Sequence, residues 1–403
     1  MTQTSVPLAY LVSRYPAISH TFILREIAHL RDLGHTIHTA SINAPDRPLG
    51  AMDATERREA ERTYCVKQHG IWGAIAALGY WALRAPLALA KTLRASSRFG
   101  RFKGLAYTAE AAMVARWMQC QSLTHLHVHF GNAGASVGVL VKQLTHCHLS
   151  YTIHGPDEFD DVLGQQLPFK MQAADTIICI SQFARSQLMR ISSPTDWPKF
   201  TVCRLGVDAA LFKAEPRSAN VAIPQLVSVG RLTPAKGQVL LIQACAQMRD
   251  HGVPFHLTMV GDGPDRSRVE TAIAHHKLQS QVTLTGSLTQ EGVRQALARA
   301  DAFVLPSLAE GIPVVLMEAM ASYVPCVSTP VNGIPELIEH GRTGLLATPG
   351  DVGSLVQQLT MLCTRPSMRR DMALAAHAKV TSHFDLLTNV RALARVFSQF
   401  SKA

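Results

Sequence analysis

Along the whole chain, short apolar runs alternate with segments in which apolar residues recur at helical spacing. In the first half, the apolar runs predict strands over residues 7–12, 36–42, 125–130, 149–153, 176–180 and 200–204. Between the first two runs, apolar positions at helical spacing predict a helix over residues 21–32, capped by Thr21 and ended by Gly34. Strands that alternate with helices are typical of parallel sheets in doubly wound α/β domains.

The second half repeats this alternation and indicates a second domain. Strands are predicted over residues 225–229, 256–260, 282–285, 302–305 and 326–328. Because 403 residues exceed what one hydrophobic core normally supports, we expect two domains, over residues 1–205 and 224–385. The irregular segment 206–223 is the predicted linker, and a last helix within 386–403 is predicted to cross back to the first domain.

Positive charge is concentrated in one segment of the first domain. The chain has a formal charge of +10, and residues 67–116 alone hold eight Lys or Arg residues but one acid, Glu110. This segment lies in a predicted helical insertion over residues 67–118, where Trp72 and Phe102 stand among the cations. Two interpretations stay open: the surface binds anionic membrane lipid, or it is the solvated side of an ordinary insertion. No nucleic-acid reading motif accompanies the charge, so nucleic acid is not an expected partner.

The sequence carries no recognisable signal for export or for a membrane span. No positively charged segment precedes the first strand, and Arg84 and Pro86 follow the apolar run 71–83. The eight Cys residues include no Cys-x-x-Cys pair, which favours free thiols over a disulfide framework. We therefore expect a cytoplasmic protein, which is peripheral on the inner face of the plasma membrane if residues 67–116 bind lipid.

Two carboxylates, Glu310 and Glu318, flank a predicted helix start. Residues 302–305 form a buried strand before them, and Pro313 suits the first turn of a helix because its missing N–H leaves no bond unmade. Glu310 then lies in the strand-to-helix loop, and Glu318 lies about one turn inside the helix. The unpaired N–H groups of such a helix start bind anions, while carboxylates can bind sugar or ribose hydroxyls. This combination predicts a nucleotide-sugar pocket.

Two cations follow the end of another predicted strand. Gly230, Arg231, Lys236 and Gly237 come soon after residues 225–229. Open α/β sheets bind ligands at the carboxyl ends of their strands, and these cations can hold phosphate oxygens. A solvated basic loop is the alternative, but the carboxylate pair further along the chain favours diphosphate binding.

Several motifs occur in a fixed order over about residues 225–352. They are Gly230-Arg231…Lys236-Gly237, Gly261-Asp262-Gly263-Pro264, Glu310-Gly311-Ile312-Pro313…Glu318-Ala319-Met320, Pro335-Glu336 and Gly344-Leu345-Leu346…Pro349-Gly350-Asp351. This half resembles the nucleotide-sugar-binding half of retaining glycosyltransferases of family four, the group 1 type. Residues 14–27 and 127–131 resemble the bacterial exopolysaccharide and colanic-acid branch. The resemblance implies the α/β fold called GT-B, in which two Rossmann-like doubly wound domains face each other across a cleft.

The resemblance also implies roles for individual residues. In this family the residues matching Arg231 and Lys236 hold the donor diphosphate. The residue matching Glu318 holds the ribose, and the one matching Glu310 contacts the transferred sugar. Further donor contacts are implied for Gly230, Ser287, Leu288, Gly311, Ile312 and Pro313. The cleft or acceptor candidates are Ser19, His20 and His129, and the catalytic candidates are Glu310 and His154, with a structural role as the alternative for His154.

Three positions depart from the family pattern. His20 stands where Glu is common, Tyr323 where a small residue is expected, and Asn332 where the pattern has Gly. None of these changes removes a charge from the predicted donor set.

Three alternating histidines, His125, His127 and His129, would share one face of a strand. A metal triad is one interpretation, but no carboxylate or cysteine is patterned with them, so no metal is predicted. The resembling family needs neither a metal nor another cofactor in principle.

The predicted function is retaining transfer of a sugar from a UDP- or GDP-sugar to a hydroxyl of an acceptor glycan. The expected acceptor is lipid-linked and belongs to bacterial surface polysaccharide synthesis. Two alternatives stay open: a non-catalytic donor-binding subunit of a polysaccharide assembly complex, and a nucleotide-sugar epimerase on the same fold. The donor base, the sugar, the linkage and the oligomeric state are not predicted.

Overall fold

The computed structural model describes residues 7–212 and 221–400. Its contacts divide the chain into two compact units. The first comprises Met1–Arg204 together with Asn389–Ala403, and the second comprises Leu205–Thr388. Each unit is built around its own parallel sheet and its own hydrophobic core.

The first unit contains a seven-stranded parallel sheet with the order β3-β2-β1-β4-β5-β6-β7. The central strands are buried along most of their length, as expected where helices cover a parallel sheet. The strands are β1 (Leu8–Arg14), β2 (Ile37–Asn43), β3 (Tyr64–Cys65), β4 (His125–His129), β5 (His148–Ile153), β6 (Thr176–Cys179) and β7 (Phe200–Val202). The helices are α1 (Thr21–Asp32), α2 (Ala54–Arg62), α3 (Gly70–Arg84), α4 (Pro86–Ser96), α5 (Arg101–Cys120), α6 (Ala133–Thr145), α7 (Leu167–Ala173) and α8 (Gln182–Ile191).

The second unit contains a six-stranded parallel sheet with the order β10-β9-β8-β11-β12-β13. Its strands are β8 (Gln225–Val229), β9 (His256–Val260), β10 (Val282–Gly286), β11 (Ala302–Leu305), β12 (Cys326–Ser328) and β13 (Leu345–Leu346). Its helices are α9 (Gln238–Asp250), α10 (Arg266–His275), α11 (Gln290–Ala298), α12 (Val314–Ala321), α13 (Ile334–Leu337), α14 (Val352–Thr364) and α15 (Pro366–His383). The strand order reverses between β8 and β11, so their carboxyl ends form a topological switch point.

Two local details differ from the sequence-based expectation. Thr21 does not cap α1; it is the first helical residue, and His20 precedes it without a capping side-chain bond. The strands β3 and β13 were not predicted, because each is only two residues long and shows no periodicity. Their position at the sheet edge comes from pairing with β2 and β12.

The basic insertion consists of the three helices α3, α4 and α5 within the first unit. Trp81 of α3 donates its indole N–H to the carbonyl of Ala112 on α5 at 3.0 Å. Gly104 lets α5 approach the end of α4, since a Cβ there would lie 2.3 Å from the Ser96 carbonyl oxygen. In the described part of the chain, no helix combines the length and the hydropathy that a bilayer crossing requires.

The last helix, α16 (Leu386–Gln399), ends against the sheet of the first unit. The buried ring of Phe397 meets Tyr10, His125 and His127 at centroid distances of 6.2, 5.6 and 5.0 Å. These are edge-to-face contacts, the geometry that aromatic rings prefer. The helix therefore covers the face of β1 and β4 that carries the alternating histidines.

We expect Phe397→Ala to destabilise the first unit by about 3–5 kcal/mol, because it removes a buried aromatic ring from a packed core. Denaturant titration followed by circular dichroism would measure the change. Arg395→Ala, at an exposed position of the same helix, is the matched control and should stay within about 0.5 kcal/mol of the unsubstituted protein. Equal losses in the two variants would contradict the anchoring role.

Candidate active site

Loops at the carboxyl ends of β8 and β11 form the first part of the candidate site. These strands are neighbours at the switch point, where open α/β sheets bind ligands. Gly230 follows β8, and a Cβ built there would meet nothing nearer than Lys236 Cδ at 4.0 Å. The fold therefore leaves open space beside the backbone at the predicted donor turn.

Lys236 and Glu310, one from each loop, are joined by an ion pair. Lys236 Nζ donates a hydrogen bond to Glu310 Oε1 at 2.5 Å, and Ser307 Oγ donates to the same oxygen at 2.7 Å. Glu310 is buried, whereas the Lys236 side chain is 24% exposed. Two donors thus fix the carboxylate while the cation stays accessible. The sequence predicted that both residues belong to the site, but it did not predict that they pair.

Arg231, the second predicted cation, is exposed on the turn after β8. Its backbone carbonyl accepts a hydrogen bond from Gln238 Nε2 at 2.9 Å, which anchors the turn to the start of α9. A guanidinium on an anchored, exposed turn can present a forked pair of donors to phosphate oxygens.

The loop from β11 to α12 brings the helix start close to Glu310. Pro313 immediately precedes α12 and is not in its first turn, because its ψ of 119° is extended. Gly311 and the buried Ile312 lead into it, so the open N–H groups that start α12 belong to the same loop as Glu310. Glu318 is the fifth residue of the helix and is buried.

The predicted base contacts lie at a different strand end. Ser287 is exposed and Leu288 is half-buried, directly after β10. In the sheet order, β9 separates β10 from β8. These two residues therefore lie two strand positions away from β8, further from the switch point than the Lys236–Glu310 pair.

The first unit brings two of the predicted histidines into contact. His129 ends β4 and His154 follows β5, which pairs with β4. His129 Nδ1 lies 2.9 Å from His154 Nε2, and the rings of Phe22 and Phe130 lie 5.0 and 4.4 Å from the His154 ring. Burial, followed by the neighbouring His129 and His20, lowers the pKa of His154 well below its usual value. The His154 ring is therefore neutral at neutral pH.

His20 immediately precedes α1 and is half-buried. Its Nδ1 lies 3.4 Å from the Arg14 carbonyl oxygen, and its ring lies 5.0 Å from that of Phe130. Burial lowers the pKa of His20, so a neutral ring occupies the position where the family pattern has a carboxylate. The side chain of Ser19 lies outside the described residues.

A buried carboxylate that the sequence analysis missed ties the ends of β4 and β5 together. Glu158 accepts hydrogen bonds from the backbone N–H groups of Gly131, His154 and Gly155. Lys170 Nζ donates to the Gly131 carbonyl at 2.7 Å. Burial raises the pKa of Glu158 to about 7 and lowers the pKa of Lys170 to about 7. No motif marks either residue, since their role is defined only by the backbone groups that the fold brings to them.

The alternating histidines have a carboxylate beside them in the fold, although none is patterned with them in the sequence. The Oε1 atom of Glu26, on α1, lies 3.2 Å from Nε2 of His129, although Glu26 stands 103 residues earlier in the chain. Ligand atoms of Glu26, His127 and His129 lie within 4.8 Å of one another. Both ring nitrogens of His127, however, already contact the hydroxyls of Ser150 and Thr152, at 2.8 and 3.0 Å. This arrangement fits a hydrogen-bonded network better than an open metal site.

Comparisons with known proteins give the family. The family model described as Glycosyl transferases group 1 matches residues 214–379. The amylovoran biosynthesis glycosyltransferase AmsK of Erwinia amylovora is 30% identical, over 98% of this chain and 100% of that protein. The chain belongs to the group 1 glycosyltransferases. The putative colanic acid biosynthesis glycosyltransferase WcaL of Escherichia coli (strain K12) is also 30% identical, over 87% of this chain and 89% of its own length.

Solved structures agree with the predicted architecture of this glycosyltransferase. Anabaena Alr3699/HepE in complex with UDP and glucose has a TM-score of 0.74 at 19% identity, and the match covers 98% of this chain and 100% of that one. Sucrose-phosphate synthase from Thermosynechococcus elongatus has a TM-score of 0.77 at 17% identity, with the same coverage. The prediction of a GT-B fold made of two Rossmann-like doubly wound domains is therefore confirmed.

Two departures of this glycosyltransferase from the family pattern have local structural reasons. Asn332 adopts φ +49°, a left-handed conformation that asparagine enters more readily than most residues. Gly333 beside it packs so closely that a Cβ would lie 2.3 Å from the Gly311 carbonyl oxygen, so glycine is required there. Tyr323 has φ +55° and stacks on His377 with ring centroids 3.8 Å apart, which stabilises the bulky residue at this turn.

We expect Glu310→Gln to lower kcat of this transferase by about 10²–10³-fold, the scale of removing one electrostatic contact to a transition state. The amide can still accept from Ser307 but carries no charge. The melting temperature should change little, because the released Lys236 amine is partly exposed and can be solvated. Steady-state kinetics and thermal denaturation would measure both effects.

The matched control is Glu291→Gln, an exposed carboxylate of the same unit that is paired with Arg294. It should leave both kcat and the melting temperature unchanged. A Glu310→Gln protein with the same kcat as the unsubstituted enzyme would rule out a catalytic role for this carboxylate.

Proposed function

We propose that this enzyme moves a sugar from a nucleotide-diphosphate donor to a hydroxyl acceptor, with retention of configuration and without a metal ion. The observation that carries the proposal is the Lys236–Glu310 ion pair at the switch point of the second unit. A cation suited to a diphosphate and a carboxylate suited to a sugar thus stand side by side. Arg231 on the adjoining turn adds a second cation. The structure of Alr3699/HepE with UDP and glucose supports a nucleotide-sugar donor.

Electrostatic stabilisation of the leaving group is the proposed source of the rate. Breaking the bond between the anomeric carbon and the phosphate oxygen leaves negative charge on the diphosphate and positive charge on the sugar. Arg231, Lys236 and the N–H groups at the start of α12 stabilise the negative charge, and Glu310 stabilises the positive charge. The departing phosphate oxygen takes the proton of the acceptor hydroxyl on the face that it leaves. Attack on that same face gives retention.

The acceptor that we propose is a lipid-linked glycan in bacterial exopolysaccharide synthesis. AmsK and WcaL, which match most of this chain, are named for amylovoran and colanic acid biosynthesis. We place the reaction in the cytoplasm, at the inner face of the plasma membrane, where a nucleotide-sugar and a lipid-linked acceptor can meet. The surface of the basic insertion supports this placement.

The outward surface of α3 is apolar. Ile71, Trp72, Ile75 and Leu83 are all more than half exposed, and Phe102 on α5 is 90% exposed. No charged side chain interrupts α3 before its last residue. Exposed apolar side chains of this density mark a surface that binds another apolar phase.

Exposed cations accompany these apolar side chains in the same three helices. They are Arg84, Lys91, Arg94, Arg98, Arg101 and Lys103. Apolar and cationic side chains together are the composition of surfaces that lie in the interface of anionic bilayers. An ordinary solvated insertion would carry polar residues on its outward face, so the structure favours the membrane interpretation. Attachment here would hold the first unit at the surface that carries a lipid-linked acceptor.

A thermal-shift screen of nucleoside diphosphates and their sugars tests the donor class. We expect UDP, GDP or one of their sugars to raise the melting temperature by several degrees, since a ligand at 100 times its Kd stabilises the folded state by about 2.7 kcal/mol. Lys236→Gln should lose most of this shift. Lys277→Gln, at an exposed lysine of the same unit, should keep it. No shift with any of these ligands, or an equal shift in Lys236→Gln, would contradict the proposal.

Product analysis then separates the proposed transfer from its alternatives. A transferase releases the nucleoside diphosphate and forms a glycoside with the anomeric configuration of the donor. An epimerase leaves the nucleotide attached and changes the sugar. A non-catalytic subunit shows the thermal shift and leaves the donor intact.

Membrane attachment predicts salt-sensitive binding to anionic vesicles. Co-sedimentation with phosphatidylglycerol-rich vesicles should exceed that with phosphatidylcholine vesicles. Changing Arg94, Arg98, Arg101 and Lys103 to Glu should weaken binding more than about 100-fold, because each cation near an anionic surface contributes ~1 kcal/mol. The control changes four exposed cations of the second unit to Glu: Arg268, Lys277, Arg365 and Arg370. Unchanged binding in the first variant, or an equal loss in the control, would exclude this surface.

A further inference from the structure

The Glu310 carboxylate is held through one of its two oxygens. Lys236 Nζ and Ser307 Oγ both donate to Oε1, at 2.5 and 2.7 Å. No described residue hydrogen-bonds Oε2, and this oxygen is not sealed from solvent. Each oxygen of a carboxylate offers about two lone-pair sites, so the two donors fill Oε1 and leave both sites of Oε2 available.

Ser307 has a fixed position in the loop that follows β11, and it is fully buried. Its carbonyl oxygen accepts a hydrogen bond from the hydroxyl of Thr329, which directly follows β12. The next backbone N–H group, that of Leu308, donates to the carbonyl of Ala235 at 2.7 Å. Neighbouring loops therefore hold the backbone beside Ser307, and no solvent competes for its hydroxyl group.

The other donor to Oε1, Lys236, can leave the carboxylate. Its side chain is 24% exposed, and the proposed function assigns it to the donor diphosphate. When its amine binds a phosphate oxygen, Ser307 is the described donor that stays on Oε1. Without that bond, the carboxylate can follow the lysine, which would turn Oε2 away from the sugar. Ser307 therefore allows the cation and the carboxylate to act on different parts of the donor.

We propose that Ser307 is a positioning residue, which holds Oε1 of Glu310 so that Oε2 faces the transferred sugar while Lys236 turns to the diphosphate. The two carboxylate oxygens thus have different tasks. Because a carboxylate oxygen only accepts hydrogen bonds, the sugar must present a hydroxyl proton to Oε2. This inference rests on the proposed function and adds to it a residue that acts through Glu310.

Ser307→Ala should lower kcat by about 10-fold, the scale of one hydrogen bond. The KM for the donor should change little, because Glu310 acts mainly on the charge that develops in the transition state. Steady-state kinetics with the UDP- or GDP-sugar that gives the largest thermal shift would measure both constants. The thermal shift caused by the nucleoside diphosphate alone should match that of the unsubstituted protein, because Lys236 is still present.

Ser328→Ala is the matched control. Ser328 is the last residue of β12, is buried as completely as Ser307 and donates its hydroxyl to the Leu305 carbonyl at 2.7 Å. Its replacement removes a buried hydrogen bond of the same kind without touching Glu310. The two variants should therefore lose similar stability in thermal denaturation, whereas Ser328→Ala should keep the kcat of the unsubstituted protein. Equal kcat values in the two variants would overturn the proposal.

A double-mutant cycle tests whether Ser307 acts through the carboxylate. In Glu310→Ala no carboxylate is left to position, so adding Ser307→Ala should not lower kcat further. A second full loss in the double variant would show that Ser307 acts by another route, which contradicts the proposal. If Ser307→Ala does not fold, Thr329→Val removes the bond to the Ser307 carbonyl instead. It should lower kcat in the unsubstituted protein but not in Glu310→Ala, and an unchanged kcat in both would overturn the proposal.

The outcomes also separate this inference from the proposed function. If the unsubstituted protein turns over no UDP- or GDP-sugar, or if Glu310→Gln keeps full activity, the proposed function fails and this inference fails with it. If Glu310→Gln loses activity while Ser307→Ala keeps it, the proposed function stands and the positioning role of Ser307 is excluded.

Discussion

At the carboxyl ends of parallel strands, the chain leaves the sheet and its polar groups lose the hydrogen bonds of the sheet. Those polar groups that are buried must find other partners inside the protein. Leaving one unpaired costs about 1–3 kcal/mol. In the first unit, Glu158 meets this requirement by accepting three backbone N–H groups where β4 and β5 end. In the second, Lys236 and Ser307 meet it for Glu310 at the end of β11. The same bonds that satisfy these groups also fix the candidate catalytic side chains.

In the proposed reaction, the Lys236–Glu310 pair would serve binding and stability together. A fully buried ion pair is costly to break, because the partner left behind keeps an uncompensated charge. Here the lysine is 24% exposed, so it can turn to a phosphate while water solvates it. The carboxylate that it leaves is buried, and a developing positive charge on a sugar would replace the lost cation. In the proposed reaction, the cost of separating the pair would be offset at the step where charge separates in the donor.

Local pattern predicted most of the strands, and it failed where groups that are distant in the sequence meet only in the folded protein. The boundaries of β8, β9, β11 and β12 match the predicted strands. Buried parallel strands appear in a sequence as unbroken apolar segments, which can be recognised without knowledge of the fold. The cations and carboxylates of the second unit were predicted as donor contacts because they lie in the segments that follow such strands, and that role stays a prediction. Glu26 and Glu158 were missed for the opposite reason. Their partners are histidine rings and backbone N–H groups whose proximity is a property of the folded sheet, not of any spacing in the sequence.

The departure at position 20 has a physical reason once the surroundings of His154 are known. A carboxylate there, as in the family pattern, would favour the protonated form of a nearby imidazole. His20 acts in the opposite direction and contributes, after burial and His129, to lowering the pKa of His154. Burial also lowers the pKa of His20, so both imidazole rings are neutral at neutral pH. Burial and the neighbouring rings of His129 and His20 thus favour the same state, a neutral His154 ring. A glutamate at position 20 would work against that neutral state, because a nearby negative charge raises the pKa of an imidazole.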